Sequence, residues 1–167
     1  MKPRLLPLLL PLLLRALLLF AAPTLHAVTP ISDTTAQGLG EKIWQNEGGR
    51  QVALLTHWNG GEQFASLGIG HFIWYPEGYD GPFSESFPNW VRYAIAHDAP
   101  PPQWLRADPQ AACPWPDRQT FITALNKPRL TALREWLAAT VSLQARFIAQ
   151  RYQQARPQII AAAEEPD

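Results

Sequence analysis

The sequence predicts an α+β fold, in which an N-terminal helix is followed by a small antiparallel β-hairpin sheet and then by a mainly helical lobe. Three observations predict it. Leu39 and Ile43 have the four-residue spacing of a helix face, and the pair Gly48-Gly49 ends that helix. The turn sequence Asn59-Gly60-Gly61 separates two segments rich in β-branched and aromatic residues. From Asp117 onward, apolar residues recur at helical intervals.

Residues 1–27 have the composition of a secretory signal peptide. Two basic residues precede an apolar run from Leu5 to Phe20, and a cleavage site follows at Ala27. An uncleaved membrane anchor is the alternative, but two prolines and Arg15 interrupt the run. We therefore expect one domain over residues 28–167, periplasmic or secreted, with no stable membrane insertion after cleavage.

The charge balance excludes two classes of partner. The chain has 14 Lys and Arg and 14 Asp and Glu, and three of the basic residues lie in the signal segment. Residues 28–167 therefore keep 11 basic and 14 acidic side chains, a formal charge of −3. No basic patch favours nucleic acid or an anionic membrane surface. Cys113 is the only cysteine, so an internal disulfide bond is excluded.

The first helix is predicted to begin at Thr34, with Gln37 completing a capping box. Glu47 follows Ile43 by four residues and precedes the terminating glycines. It therefore lies in the last turn, on the same face as Leu39 and Ile43, and points toward the protein body or a cleft. The helix dipole disfavours an acidic residue at this end.

The sheet is predicted directly after this helix. Residues 52–58 indicate one strand, and residues 62–75 indicate one or two more. Gly68 and Gly70 interrupt the second segment and suggest a bend or a close backbone approach. A loop rich in glycine, proline and aromatic residues follows from Pro76 to Pro88.

The rest of the chain is predicted to be mainly helical. A helix begins near Pro88, and a proline-dense irregular connector covers residues 99–116. Asp117 caps a second helix, and Pro128 occupies an early position of a third. The last helix has one apolar face and is broken or kinked at Pro157. The residues of that face are Val141, Ala145, Ile148, Tyr152, Ala155 and Ile159.

Two glutamates in the helix–hairpin region have the chemistry of a glycosidase. Glu47 and Glu62 are fifteen residues apart, so a hairpin folding back on the helix could bring them together across a cleft. One carboxyl group protonates the leaving oxygen, and a second carboxylate activates water or stabilises a cation. Either glutamate could instead be a solvated surface residue. A metal site of His57, His71 and Glu62 is a further alternative, although the spacing matches no standard zinc motif.

Aromatic residues near these glutamates are candidate sugar-binding surfaces. Trp58, Trp74 and Tyr75 could form a carbohydrate platform, and packing in the core is the alternative for each. Ser66 is not expected to be a nucleophile, because its surroundings lack the nucleophile-elbow pattern.

The segment from Glu47 to His71 resembles the phage-type lysozymes. In that family a glutamate at the end of the first helix is followed by a β-hairpin that carries an acidic residue. A Thr-Ile-Gly-x-Gly-His segment comes next, and helices complete the domain. This chain has Glu47-Gly48, the predicted hairpin and then Ser-Leu-Gly-Ile-Gly-His at 66–71. The resemblance implies a lysozyme-like fold.

The resemblance also implies roles for individual residues. Glu47 matches the general acid, and Ser66 stands where the family has a threonine that positions the nucleophilic water. His71 matches a structural histidine, and we group it with the three aromatic residues as substrate-binding. Gly60 occupies the position of the family's second acid, so Glu62 is the nearest substitute. Three acids of the following loop are alternatives for that role. They are Glu77, Asp80 and Glu85.

The expected function is that of an exported glycoside hydrolase that cleaves peptidoglycan or a related amino-sugar polymer by acid/base catalysis from Glu47. A lytic transglycosylase is a variant, since it needs only one glutamate. The same fold could instead serve a non-catalytic cell-wall-binding protein, or a structural domain without a site. We expect no cofactor, no metal, a glycan partner and a monomer.

Overall fold

The computed structural model describes residues 32–164, without the side chains at 47, 48 and 158–164. The predicted signal peptide, residues 1–27, lies outside this part. Within it the chain forms six α-helices, one 3₁₀ turn and a three-stranded antiparallel sheet, in the order helix, sheet, helical lobe. The α+β prediction is thereby confirmed. No helix among residues 32–164 is both long enough and apolar enough to span a bilayer.

Helix α1 runs from Asp33 to Gly48 and ends where the sequence predicts. Gly49 has φ of 54° and donates its N–H to the Gln45 carbonyl at 3.0 Å, which closes the last turn. The predicted start at Thr34 is wrong. Ser32 is the N-cap, because its hydroxyl accepts the N–H of Thr35 at 3.1 Å.

The buried side of α1 is rotated from the predicted one. Ala36 and Gly40 are buried, whereas Leu39 is 36% exposed. Gly40 lies against the last helix: a Cβ added there would be 3.0 Å from the Val141 carbonyl oxygen and 3.2 Å from the Ala145 Cβ. A glycine at this position therefore allows the two helices to approach closely.

The strand predicted over residues 52–58 is mostly wrong. A 3₁₀ turn occupies Val52–Leu55, and strand β1 is only Thr56–His57. A strand would send alternate residues of this apolar run inward, but the turn buries Leu55 alone and leaves Val52 42% exposed. The Leu55 carbonyl accepts the N–H of Gly68 at 2.8 Å, which ties the turn to the sheet.

Strands β2 (Ala65–Leu67) and β3 (Phe72–Trp74) complete the sheet in the order β1-β2-β3. His57 pairs with Ser66, and Ser66 pairs with Ile73. The predicted turn at 59–61 is present, and residues 68–71 form the turn between β2 and β3.

Five helices follow the sheet, and the predicted starts at Asp117 and Pro128 are confirmed. Asp117 caps its helix by accepting the Thr120 N–H at 2.7 Å, and Pro128 is the first residue of its helix. The predicted connector over residues 99–116 contains one short helix. The five helices are α2 Phe87–Ala96, α3 Gln103–Arg106, α4 Arg118–Thr123, α5 Pro128–Ala139 and α6 Val141–Glu164.

Helix α6 departs from its prediction in two respects. It continues through Pro157 to Glu164 instead of ending at the proline. Its apolar face is also interrupted: Val141 and Ala145 are buried and Ile148 and Ala155 are half-buried, but Tyr152 is 63% exposed. Among the described side chains of α6, the buried ones therefore lie in its first turns, and the predicted face residue Ile159 is outside the described side chains.

Candidate functional site

The sheet has one face in the core and one face that carries the candidate site. Thr56, Leu67 and Phe72 are paired across the strands and buried on the core face. The next row, His57–Ser66–Ile73, projects to the opposite face because side chains alternate along a strand. In this row His57 is exposed and Ile73 is half-buried. We call this second side the outer face of the sheet.

Ser66 lies at the centre of the outer face. It is the middle residue of the middle strand and is 6% exposed. Phe64 precedes β2 and Tyr75 follows β3, so continuing the β2–β3 register by one residue beyond each strand adds these two buried side chains to the same face. The rings of Phe64 and Tyr75 make an edge-to-face contact with centroids 5.5 Å apart. A hydroxyl group therefore lies between an exposed imidazole and an aromatic pair.

Gln144 of α6 holds the turn that follows Ser66. Its amide oxygen accepts the Ile69 N–H at 2.9 Å, and its amide nitrogen donates to the Leu137 carbonyl at 2.6 Å and to the Thr140 hydroxyl at 3.1 Å. The side chain is fully buried. Gly68 has φ of +68°, and a Cβ there would overlap the Gln144 amide oxygen. This turn is thus anchored to the helical lobe.

The sequence-based interpretation did not single out Gln144. It falls between Val141 and Ile148 on the buried side of α6, and a polar residue in an apolar stripe is the signal that could have identified it. His71 has an exposed side chain and φ of 46°, and it donates its N–H to the Gly68 carbonyl at 3.3 Å. His71 therefore forms part of the turn geometry.

Glu62 is half-buried at the β1–β2 turn, close to the outer face. Its carboxylate accepts from the Asn59 amide at 2.9 Å, and its carbonyl accepts from the Trp58 indole N–H at 2.8 Å. These bonds hold the Glu62 carboxylate within the turn that joins β1 and β2.

Two of the three predicted platform residues lie in the core. Trp58 is 3% exposed and packs against Phe121 with ring centroids 5.7 Å apart. Trp74 is fully buried, and its indole N–H donates to the Ala111 carbonyl at 2.9 Å. Both rings lie on the core side of the sheet, because Trp58 follows β1 and Trp74 ends β3 in phase with the buried Thr56 and Phe72.

Tyr75 borders a cavity of about 430 Å³ formed with the loop after β3. Its hydroxyl is 3.2 Å from both the carbonyl and the N–H of Phe83, and its backbone N–H donates to the Glu85 carboxylate at 2.8 Å. The three loop acids considered as alternatives, Glu77, Asp80 and Glu85, all line this cavity. All three are exposed, and Glu85 differs in that its carboxylate already accepts the Tyr75 N–H.

Glu47 lies in the last turn of α1, and its side chain is outside the described part of the structure. Its backbone position follows Gly40 by seven residues and Ile43 by four, so it continues the side of the helix on which Gly40 is buried. The chain then turns at Gly49 and Arg50, both with positive φ, and enters the 3₁₀ turn that leads to β1.

The described residues include no group of three or more His, Cys, Asp or Glu side chains that could hold a metal ion. Comparison with protein-family models, with curated proteins and with solved structures found no match to this chain.

Proposed function

We propose that this protein is an exported lysozyme-like glycoside hydrolase that cleaves peptidoglycan or a related amino-sugar polymer, with Glu47 as the general acid. The observation that carries the proposal is the order of the structural elements along the chain. A helix that ends at Glu47-Gly48 leads into a three-stranded antiparallel sheet. Ser66 is at the centre of that sheet's outer face, and the turn after it is tied to the helical lobe by Gln144.

In the proposed mechanism, the sugar chain lies across the outer face of the sheet. Glu47 donates a proton to the glycosidic oxygen as the bond breaks. The hydroxyl of Ser66 orients the attacking water on the other side of the sugar ring. The carboxylate of Glu62 accepts the water's proton or stabilises the positive charge of the oxocarbenium-like transition state.

Glu62 is better supported for the second role than the loop acids. Its carboxylate accepts from the Asn59 amide in the β1–β2 turn, so its orientation is restricted before substrate binds. Glu85 is already an acceptor for the Tyr75 backbone N–H, which makes it a structural residue of the loop. The cavity beside Tyr75 and Tyr79 would then accept a neighbouring sugar ring.

The direct test is release of soluble fragments from purified peptidoglycan by the wild-type protein and by Glu47→Gln. Loss of a general acid lowers the rate by about 10²- to 10⁴-fold. Glu41→Gln is a matched control, because Glu41 is an exposed glutamate of the same helix and pairs with Arg50 at 3.6 Å. Equal rates for wild type and Glu47→Gln would reject the proposed role of Glu47.

A lytic transglycosylase is the alternative, because Gly60 stands where the resemblance expects a second acid. Such an enzyme needs one acid/base glutamate, so Glu62→Gln would keep its activity and the products would be anhydro-sugars. In the hydrolytic mechanism Glu62→Gln lowers the rate and the products have reducing ends. A folded wild-type protein that binds sacculi without releasing fragments would instead be a cell-wall-binding module.

A further inference from the structure

A second cavity, of about 370 Å³, lies beside the edge strand β1, between the 3₁₀ turn and helices α4 and α5. Of the outer-face row, His57 lines it and Ser66 does not; Tyr75 and Glu62 do not line it either. Its walls are mainly apolar. The apolar lining is Ala53, Leu54, Trp58, Phe121, Ile122 and Leu125.

Two guanidinium groups line this cavity and are held in place by neutral acceptors. Arg134 donates through Nε to the Thr56 hydroxyl at 2.7 Å and through Nη2 to the Leu125 carbonyl at 3.0 Å. Arg118 donates through Nε to the Trp58 carbonyl at 2.9 Å. Two bonds orient the half-buried Arg134 and one bond orients the exposed Arg118, and other guanidinium N–H donors are left for a ligand.

Neither arginine is paired with a carboxylate of the described chain, where the ion pairs are Arg50–Glu41 and Arg146–Asp33. Asp117 is adjacent to Arg118 in sequence, but its carboxylate accepts the Thr120 N–H as a helix cap. The cavity therefore has two fixed positive charges without a counter-ion from the described residues.

The partial burial of Arg134 adds an energetic reason for an anionic ligand. Burial lowers the pKa of the Arg134 guanidinium, because desolvation disfavours the charged form. A carboxylate that enters the cavity would offset this cost and form charge-assisted hydrogen bonds with the planar guanidinium groups. The apolar walls would exclude water from those bonds.

We propose that this cavity binds a carboxylate carried on a small apolar group, such as the C-terminal carboxylate of a short peptide that ends in alanine. Its two arginines recognise the carboxylate, and its apolar walls accept the methyl group. An inorganic anion would pair with the two arginines but would make no apolar contact with the walls of the cavity. This site borders the outer face at His57, but it contains no residue with a proposed catalytic role and does not involve Glu47.

The test is an NMR titration of the full-length protein with N-acetyl-alanyl-alanine, its C-terminal amide and inorganic phosphate, followed at the Trp58 indole N–H. The acid is expected to bind saturably, and the amide and phosphate much more weakly. Arg118→Gln should weaken binding of the acid by roughly fivefold, as expected for a partly solvated charge pair. Arg106→Gln is the matched control: it removes an exposed arginine of α3 outside this cavity.

Arg134→Gln should weaken binding further, by about tenfold or more, because this guanidinium is less exposed. The stability of Arg134→Gln is measured in parallel. If this variant does not fold, the affinity of Arg118→Gln for the acid tests the proposal. Equal binding of acid and amide, phosphate binding as tight as that of the acid, or unchanged affinity in Arg118→Gln would each overturn the proposal. Glu47→Gln should bind the acid normally, which separates this result from the glycosidase test.

Discussion

Replacing Gln144 by methionine tests how the turn after Ser66 is held. Methionine has a similar length and volume and leaves little cavity, but it removes the three hydrogen bonds of the glutamine amide. The Ile69 N–H then has no acceptor, and Ile69 is only 4% exposed.

The expected cost follows from these contacts. A buried donor left without a partner costs about 1–3 kcal/mol. The Leu137 carbonyl loses less, because it still accepts from the Thr140 N–H and hydroxyl, each at 3.3 Å. Adding a smaller cost for the weakened Leu137 and Thr140 contacts, we expect Gln144→Met to lose about 2–4 kcal/mol of unfolding free energy.

Urea unfolding followed by tryptophan fluorescence measures this loss. Gln150→Met is the matched control, because Gln150 is exposed on the same helix and its replacement should change stability by no more than about 0.5 kcal/mol. Amide hydrogen exchange should show faster exchange at Ile69 in the Gln144 variant. Equal stability of the two methionine variants would refute the role assigned to Gln144.

Three further predictions concern local contacts. Gly40→Ala should destabilise the protein by about 1–3 kcal/mol, because its Cβ meets α6. Gly38→Ala in the same helix meets nothing within 4 Å and should stabilise it by about 0.5–1 kcal/mol in thermal or urea unfolding. Hydrogen bonds from Thr120 hold the pKa of Asp117 below its usual value, so its charge stabilises the fold above about pH 4 and that contribution is lost as the pH falls through the lowered pKa. The destabilisation caused by Asp117→Asn, measured by urea unfolding, should therefore shrink in acid. Burial raises the pKa of the Cys113 thiol to about 12, so a disulfide reagent at about pH 8 should modify it in urea but not in the native protein.

Each of these predictions can fail in a specific way. Similar effects of alanine at 38 and 40 would mean that α1 does not pack on α6 through Gly40. If Asp117→Asn lowers the unfolding free energy equally at every pH in the acid range, the charge of Asp117 does not contribute to the stability of the cap. Rapid modification of native Cys113 would contradict its burial.

Features set by neighbouring residues could be predicted from the sequence. The end of α1 at Gly49, the cap at Asp117 and the start of α5 at Pro128 each depend on side chains or backbone conformations within a few residues. The turn at 59–61 depends in the same way on its own glycines. For these elements, local chemistry and the final structure agree.

Features set by distant contacts could not be predicted in this way. The run Val52–Leu55 has the composition of a strand. Its geometry is instead determined by the hydrogen bond from the Gly68 N–H to the Leu55 carbonyl and by the turn that ends α1. The orientation of Trp58 and Trp74 depends on the pairing of Ser66 with both neighbouring strands. Gln144 is 75 residues along the chain from Ile69, whose N–H it accepts.

The most direct test of the central claim is digestion of purified peptidoglycan in water enriched in oxygen-18, with the released fragments identified by mass. If Glu47 drives hydrolysis, each new reducing end contains one oxygen-18 atom, and this product disappears with Glu47→Gln but persists with Glu41→Gln. Unlabelled anhydro products, or no release by folded wild-type protein, would contradict a hydrolase.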